Sequence, residues 1–468
     1  MVGIIGHSAY LPAYRISRDA IAAAWQARSQ GGQKLCARFD EDALTMAATA
    51  AADCLASIGD GKPEITGMFF ASTTAPYLER MNASVIAAIC DRRADLLTAD
   101  LSSSLRAGTS GLAMAFDRVA GMGGSALVCA ADTREAEPGT ADEQTFGDAA
   151  AAVAVGDSGV IAELVGHASV YDDFFETTRR DRDATVNTFD GKFSLDRGYH
   201  KSLGAALQEV MKKAGVSAKE IARLVVPSPD KRSHLLLAKK LGFSDAQVQG
   251  TYWDAIGQAG SPLPLLLLGA ALDEAKPGEL ILLGGYGNGA DAFLFRATEG
   301  IGSYKSRVPL ASQLADGLSY PTYSLFRKAR AHRIGNDDGL EITNVFYTKE
   351  EKETIRLRGS ECVHCGTRHF PQTKICAKCE KWDAFTEVPL QRTGQVYTCA
   401  VDHLAPSPLP PKVMAVVDLD GGGRFYGEVV DTPADKIRIG TSVELVIRRV
   451  REGGGLHHYY WKCRLRRA

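Results

Sequence analysis

At 468 residues the chain exceeds one ordinary core, and 45% hydrophobic residues can fill two or three domains. A formal net charge of −2 excludes a general electrostatic pull toward nucleic acid or an anionic membrane surface. The apolar stretch 265–272 is far short of a bilayer span and residues 2–6 read as strand rather than as a signal peptide, so a cytoplasmic location is expected.

From Met1 to about Thr298, short apolar runs alternate with longer helical patterns, which is the signature of a layered α/β domain. The expected strands are 66–72, 96–101, 125–131, 149–155, 224–227 and 279–284. Between them, helices at 42–56, 109–120, 199–214 and 261–274 repeat apolar residues at three- and four-residue intervals. The glycine-rich run 284–289 is followed by a strand-like 292–296 instead of a helix, so it reads as a tight inter-strand loop and not as a dinucleotide fingerprint. Residues 299–358 read as a linker with a docking helix near 320–332, whose Tyr323 and Phe326, beside Arg327 and Arg330, are candidate anchors for a partner, with packing back on the chain's own domain as the equal alternative. Beyond the cysteine cluster come five short strands, 395–401, 412–419, 424–430, 442–450 and 459–464. The turns 420–423 and 452–455 mark hairpins, so this part is expected to close into a small antiparallel barrel.

Four of the ten cysteines crowd into 362–379 while Cys54, Cys90 and Cys129 lie in apolar segments, a pattern suited to a reducing compartment with one metal site. Cys362 and Cys365 form one C-x-x-C knuckle and Cys376 and Cys379 form a second. Two such knuckles place four thiolates around a tetrahedral zinc ion and leave no coordination position open, so the metal is expected to be structural. His364 and His369 are then left for solvent-facing or packing roles, and a redox dithiol is the competing reading.

Gly394-Gln395-Val396-Tyr397-Thr398 opens the barrel and Tyr459-Tyr460-Trp461-Lys462 closes it; with the preceding ribbon they resemble the acyl-CoA-associated OB-fold family, whose members accompany thiolases. The first 298 residues resemble hydroxymethylglutaryl-CoA synthase of the archaeal type, within the thiolase superfamily. Three stretches carry this likeness: Asp100-Leu101 through Arg106-Ala107-Gly108-Thr109-Ser110-Gly111-Leu112, Ala238-Lys239-Lys240-Leu241-Gly242-Phe243, and Ala275-Lys276-Pro277-Gly278-Glu279. The resemblance implies a layered α/β/α/β/α domain over 1–298, a linker over 299–358, a zinc ribbon over 359–388 and an OB-type barrel over 389–468. It also implies CoA or acyl-CoA as ligand, and a homodimer.

Such synthases carry a nucleophilic cysteine at the N-terminus of a buried helix, where the helix dipole favours thiolate. The resemblance puts Leu105 at that position, Thr73 at the acid/base glutamate, Pro227 at the histidine and Gln258 at the asparagine. None of the four can play the family's role. Asp230 and His234 are weak candidates for proton transfer near the old histidine position, with an ordinary loop pair as the bland alternative. Arg232 falls where the archaeal-type pattern has a basic residue for CoA phosphates, or is a plain surface charge. The expected function is therefore a CoA-associated subunit, with a degenerate synthase site, working beside a separate thiolase that keeps its cysteine. The alternative is a cysteine-independent aldolase or retro-Claisen lyase. A nucleic-acid module, suggested by Arg448, Arg449, Arg451 and residues 464–467, is disfavoured by the overall charge.

Overall fold

Ser125–Asp132 and Ala149–Gly156 are buried at every position, so each strand must be covered on both faces. In the computed structural model they lie near the middle of a nine-stranded mixed sheet. Its order is Ile221–Val225, Leu280–Tyr286, Gly289–Ala297, Ala162–Tyr171, Gly3–Tyr10, Ala149–Gly156, Ser125–Asp132, Ile65–Ala71 and Leu97–Leu101. The structure describes residues 1–59, 64–332, 334, 343–382 and 384–467. Only two residue pairs, Gly3 with Glu163 and Ile4 with Ala162, join the two halves of the sheet. Helices Ala107–Met122 and Leu263–Glu274 pack against strands of both halves, while Ala43–Ile58 covers one half from outside and Leu203's successor, Gly204–Ala214, covers the other. The layers are α/β/α/β/α, as expected.

Local chemistry explains the boundaries. Asp42 accepts the Thr45 N–H in a capping box that starts Ala43–Ile58. Ten consecutive buried residues, 263–272, leave Leu263–Glu274 no polar face, as a helix enclosed between two sheet halves requires. The expected helix 199–214 instead begins at Gly191 and passes through a π-helical stretch, Leu195–Leu203, before its regular part. Strand Ala162–Tyr171 escapes the sequence reading because most of its positions are only half-buried and carry no strong apolar alternation.

The first of two compact units comprises residues 1–37, 42–87 and 93–323. It continues past Thr298 because the chain beyond is bonded into it. Gln313 accepts the Leu11 N–H at 2.9 Å and donates to Ala9 O at 2.8 Å, and Leu318–Ser319 pairs in parallel with Tyr14–Arg15. The expected docking helix is Tyr323–Arg330, and its aromatic residues do not form an exposed patch. Tyr320 and Phe326 are buried, and the Tyr323 hydroxyl donates to Glu143 at 2.8 Å while accepting from Trp25 at 2.9 Å. The part of the expected linker at 333 and 335–342 lies outside the described residues.

The second unit holds 324–468 together with 38–41 and 88–92. Strands Arg368–His369, Arg358–Cys362 and Phe385–Pro389 form a small sheet that carries the cysteine knuckles. Strands Thr393–Asp402, Lys412–Leu419, Arg424–Val429, Leu456–Leu465 and Ser442–Gly453 close into a barrel. Alternation buries Val413, Ala415, Val417 and Leu419 inside it. Two of the arginines that suggested a nucleic-acid surface are paired within this unit: Arg448 is fully buried and pairs with Asp431 at 2.5 Å, and Arg464 pairs with Glu444 at 2.8 Å. Among the described residues no helix is long and apolar enough to cross a membrane.

Candidate functional site

Two buried carboxylates fix the loops around Leu105. Asp291, on strand Gly289–Ala297, accepts from the Thr109 and Ser110 hydroxyls at 2.9 and 3.0 Å and pairs with Arg106 at 3.0 Å, which ties down the start of helix Ala107–Met122. Asp132, at the end of its strand, accepts the Thr73 N–H at 2.7 Å and hydroxyl at 3.0 Å through one oxygen, and the Ser261 N–H at 2.7 Å through the other. Opposite, Gly287 lies so near the helix start that a Cβ there would sit 2.9 Å from the amide nitrogens of Leu105 and Arg106. Only glycine permits that approach.

Around Leu105 three cavities open. One, of about 340 Å³, is polar and runs between Thr73, Ser103, Arg134, Arg179 and Asn288. A second, of about 200 Å³, is bounded by Phe146, Phe189 and Leu195 with Asp142, Asp230 and Gln258. A third holds only about 20 Å³, among Tyr199, Pro227, Gln258 and Tyr286. Leu105 and Glu176 are the two residues that line all three.

The structure thus brings Thr73, Leu105, Pro227 and Gln258 to one place. Thr73 is held by Asp132, the Pro227 carbonyl accepts from the Tyr199 hydroxyl at 2.7 Å, and the Gln258 side chain accepts from Arg134 at 2.9 Å. Asp230 reaches the second cavity, but its carboxylate accepts the N–H groups of Arg232 and Ser233 at 2.7 and 2.8 Å and the Ser233 hydroxyl at 2.5 Å. Against the effect of burial, these bonds hold its carboxyl below the ordinary range and make it a cap for helix Ser233–Lys240. His234 is buried against the Ser228 hydroxyl at 3.1 Å, where burial lowers its pKa, and it lines none of the three cavities. Arg232 is exposed.

Sequence reasoning missed Glu176, Tyr286, Tyr199 and Arg134. Glu176 lies in an irregular stretch, and its partly buried carboxyl is pushed up to about 7 by burial, against the opposing influence of the Arg134 charge and the neighbouring Tyr286 hydroxyl. Burial and the neighbouring Glu176 charge both raise the Tyr286 hydroxyl above its ordinary value. Arg134 stacks over Phe146 at 4.0 Å, and its burial lowers its own pKa. The only signal available was Phe174-Phe175-Glu176, a carboxylate next to two aromatic residues.

In the second unit the sulfur atoms of Cys362, Cys365, Cys376 and Cys379 all lie within 4.8 Å of one another. Two separations, 3.7 Å for Cys362 to Cys379 and 3.5 Å for Cys365 to Cys376, approach the ~3.8 Å edge of a tetrahedron built with zinc–sulfur bonds of about 2.3 Å. The quartet can hold a metal ion. His364 is exposed and His369 meets the Phe385 ring edge-on, so neither is a ligand.

Fold and site together define a thiolase-fold domain joined to a cysteine-cluster ribbon and an OB-fold barrel. A family model described as "ChsH2, C-terminal OB-fold domain" matches residues 387–448. The hydroxymethylglutaryl-CoA synthase of Methanocaldococcus jannaschii is 31% identical over 341 residues, covering 70% of this chain and 99% of the relative. That of Archaeoglobus fulgidus is 32% identical over 341 residues, covering 70% of this chain and 98% of the relative. The chain belongs to the hydroxymethylglutaryl-CoA synthase family. Among solved structures, a hydroxymethylglutaryl-CoA synthase complexed with CoA superimposes with a TM-score of 0.64 at 19% identity, covering 73% of this chain and 94% of that one. The 3-oxoacyl-(acyl carrier protein) synthase III of Pseudomonas aeruginosa gives 0.58 at 21%, covering 64% and 98%.

Proposed function

We propose that the chain binds a CoA thioester beside Leu105 and makes or breaks a carbon–carbon bond next to the thioester without forming an acyl-enzyme, as a cysteine-independent aldolase or retro-Claisen lyase. The observation that carries this reading is that the space around Leu105 is open, and that the larger of its cavities is lined mainly by polar and ionisable groups while the second mixes apolar side chains with Asp142, Glu176 and Asp230. A leucine has no lone pair, so the acyl group stays on CoA. The thioester oxygen, which gains charge when an enolate forms, would be stabilised by the amides at the start of helix Ala107–Met122.

Solved relatives support a thioester ligand, since one is in complex with 3-hydroxy-3-methylglutaryl coenzyme A and another with a holo donor acyl carrier protein. On this reading Arg232 contacts CoA phosphates, the cysteine quartet holds a structural zinc, and the first unit pairs as a homodimer. The second reading, a non-catalytic subunit beside a separate cysteine-bearing thiolase, is favoured by the replacement of all four family groups at Thr73, Leu105, Pro227 and Gln258. It leaves the partly buried carboxylate at Glu176 without a use.

The test is intact-mass spectrometry after incubation with acetyl-CoA, paired with equilibrium binding of acetyl-CoA. Saturable binding with unchanged protein mass is expected. An acetyl adduct on Ser104 or on any cysteine, or the absence of binding, overturns the reading.

A further inference from the structure

We propose that Glu176, which shares a cavity wall with Tyr286, is the base that removes a proton from the α-carbon of the bound CoA thioester. This rests on the thioester reading above and places the proton chemistry on a residue outside the four family positions.

Placement comes first. Glu176 and Leu105 are the two residues shared by all three cavities, so Glu176 borders the place where a thioester arriving beside Leu105 meets both larger spaces. Of the other carboxylates lining these cavities, Asp230 is engaged with the start of helix Ser233–Lys240 and Asp142 accepts the Thr188 hydroxyl at 2.5 Å. Tyr286, on the same cavity wall as Glu176, is held in place by close packing. A Cβ at Gly198, within the π-helical stretch, would lie 2.0 Å from the Tyr286 hydroxyl, and the Tyr199 ring meets Tyr286 edge-on at 5.5 Å.

The charged and titratable groups around Glu176 are Arg134 at the end of strand Ser125–Asp132, Tyr286 on its strand, Tyr199 on the π-helical stretch, and Asp142 and Arg179 on the cavity walls. Burial brings the carboxyl to about 7, so at neutral pH a base of useful strength is present. In the step, the α C–H bond breaks, its proton passes to a Glu176 oxygen, and the electron pair moves into the enolate. Return of a proton from Glu176 reverses it, and in heavy water the returned atom is deuterium.

The experiment follows deuterium incorporation into the methyl group of acetyl-CoA in D2O by NMR, with acetyl-CoA affinity measured on the same samples. Wild-type protein is expected to exchange, with a rate that rises with pH through an inflection near the Glu176 value, because the carboxylate is the active form. Glu176→Gln should lower the rate by about 100-fold or more at unchanged affinity. Tyr286→Phe removes a neighbouring hydroxyl that favours the charged form, so its inflection should move to higher pH. Exchange in Glu176→Gln at the wild-type rate overturns the assignment and leaves the thioester reading standing, as does binding by the wild-type protein without exchange. If Glu176→Gln does not fold, an unshifted profile in Tyr286→Phe overturns it. Failure of wild-type protein to bind acetyl-CoA sinks the thioester reading itself.

Discussion

A methyl group at Gly198 would lie 2.0 Å from the Tyr286 hydroxyl and 2.8 Å from the Phe174 ring, and Tyr286 is itself 7% exposed with little room to retreat. In Gly198→Ala the hydroxyl must therefore move relative to Glu176. The Tyr286 hydroxyl lowers the Glu176 pKa, so displacing it should raise the value and shift the exchange profile of Gly198→Ala to higher pH, in the same direction as Tyr286→Phe. Measuring the pH–rate profile decides it: an unmoved inflection would show that Gly198 does not hold Tyr286 in place. That Thr73, Leu105, Pro227 and Gln258 lie together was legible because they flank regular elements whose motifs can be matched, Leu105 before a helix and Thr73 after a strand. Glu176 was not, because residues 172–190 contain only two-residue strands and no periodicity to place a side chain. Its importance comes from burial and from neighbours 42 and 110 positions away, Arg134 and Tyr286, which no local pattern encodes.

At the scale of elements, strands with strict alternation or continuous apolar runs could be read directly, as Lys412–Leu419 and Ala149–Gly156 show. The π-helical stretch Leu195–Leu203 could not, since its widened turn is set by the packing of Gly198 and Tyr199 against Tyr286 and not by propensity. Of the two roles open to Tyr323 and Phe326 in the sequence, docking a partner or packing on the chain itself, the buried Phe326 favours the second, a choice weak periodicity could not make. The cysteine ribbon is the opposite case: its two knuckles are local, and matching turns place Gly366 N–H on Cys362 O and Glu380 N–H on Cys376 O. One zinc per chain is the expected result of metal analysis. Cys362→Ser or Cys376→Ser removes a ligand from a site whose binding energy is also folding energy, so each should lose the metal and make residues 358–389 protease-sensitive. Full zinc content in both variants would reject the assignment.

On the scale of the whole molecule, the two functional readings differ in where the reactive groups reside. A non-catalytic subunit needs its partner for any proton transfer, so the purified chain would leave acetyl-CoA unexchanged and the rate would rise in proportion to added cysteine-bearing thiolase. A self-sufficient lyase carries its base at Glu176 and its enolate-stabilising amides at the start of helix Ala107–Met122, all inside the first unit. Its exchange rate per chain should then be the same with and without thiolase. The burial of Tyr320 and Phe326 weakens the case for a partner seated on that helix, because truncating them would disturb the chain's own packing before it disturbed any complex. We therefore expect the purified chain, shown free of thiolase by mass spectrometry, to exchange acetyl-CoA protons by itself. A chain that binds acetyl-CoA, stays silent alone and becomes active only on titration with thiolase would return the catalytic groups to the partner and make this protein the thioester-presenting half of a complex.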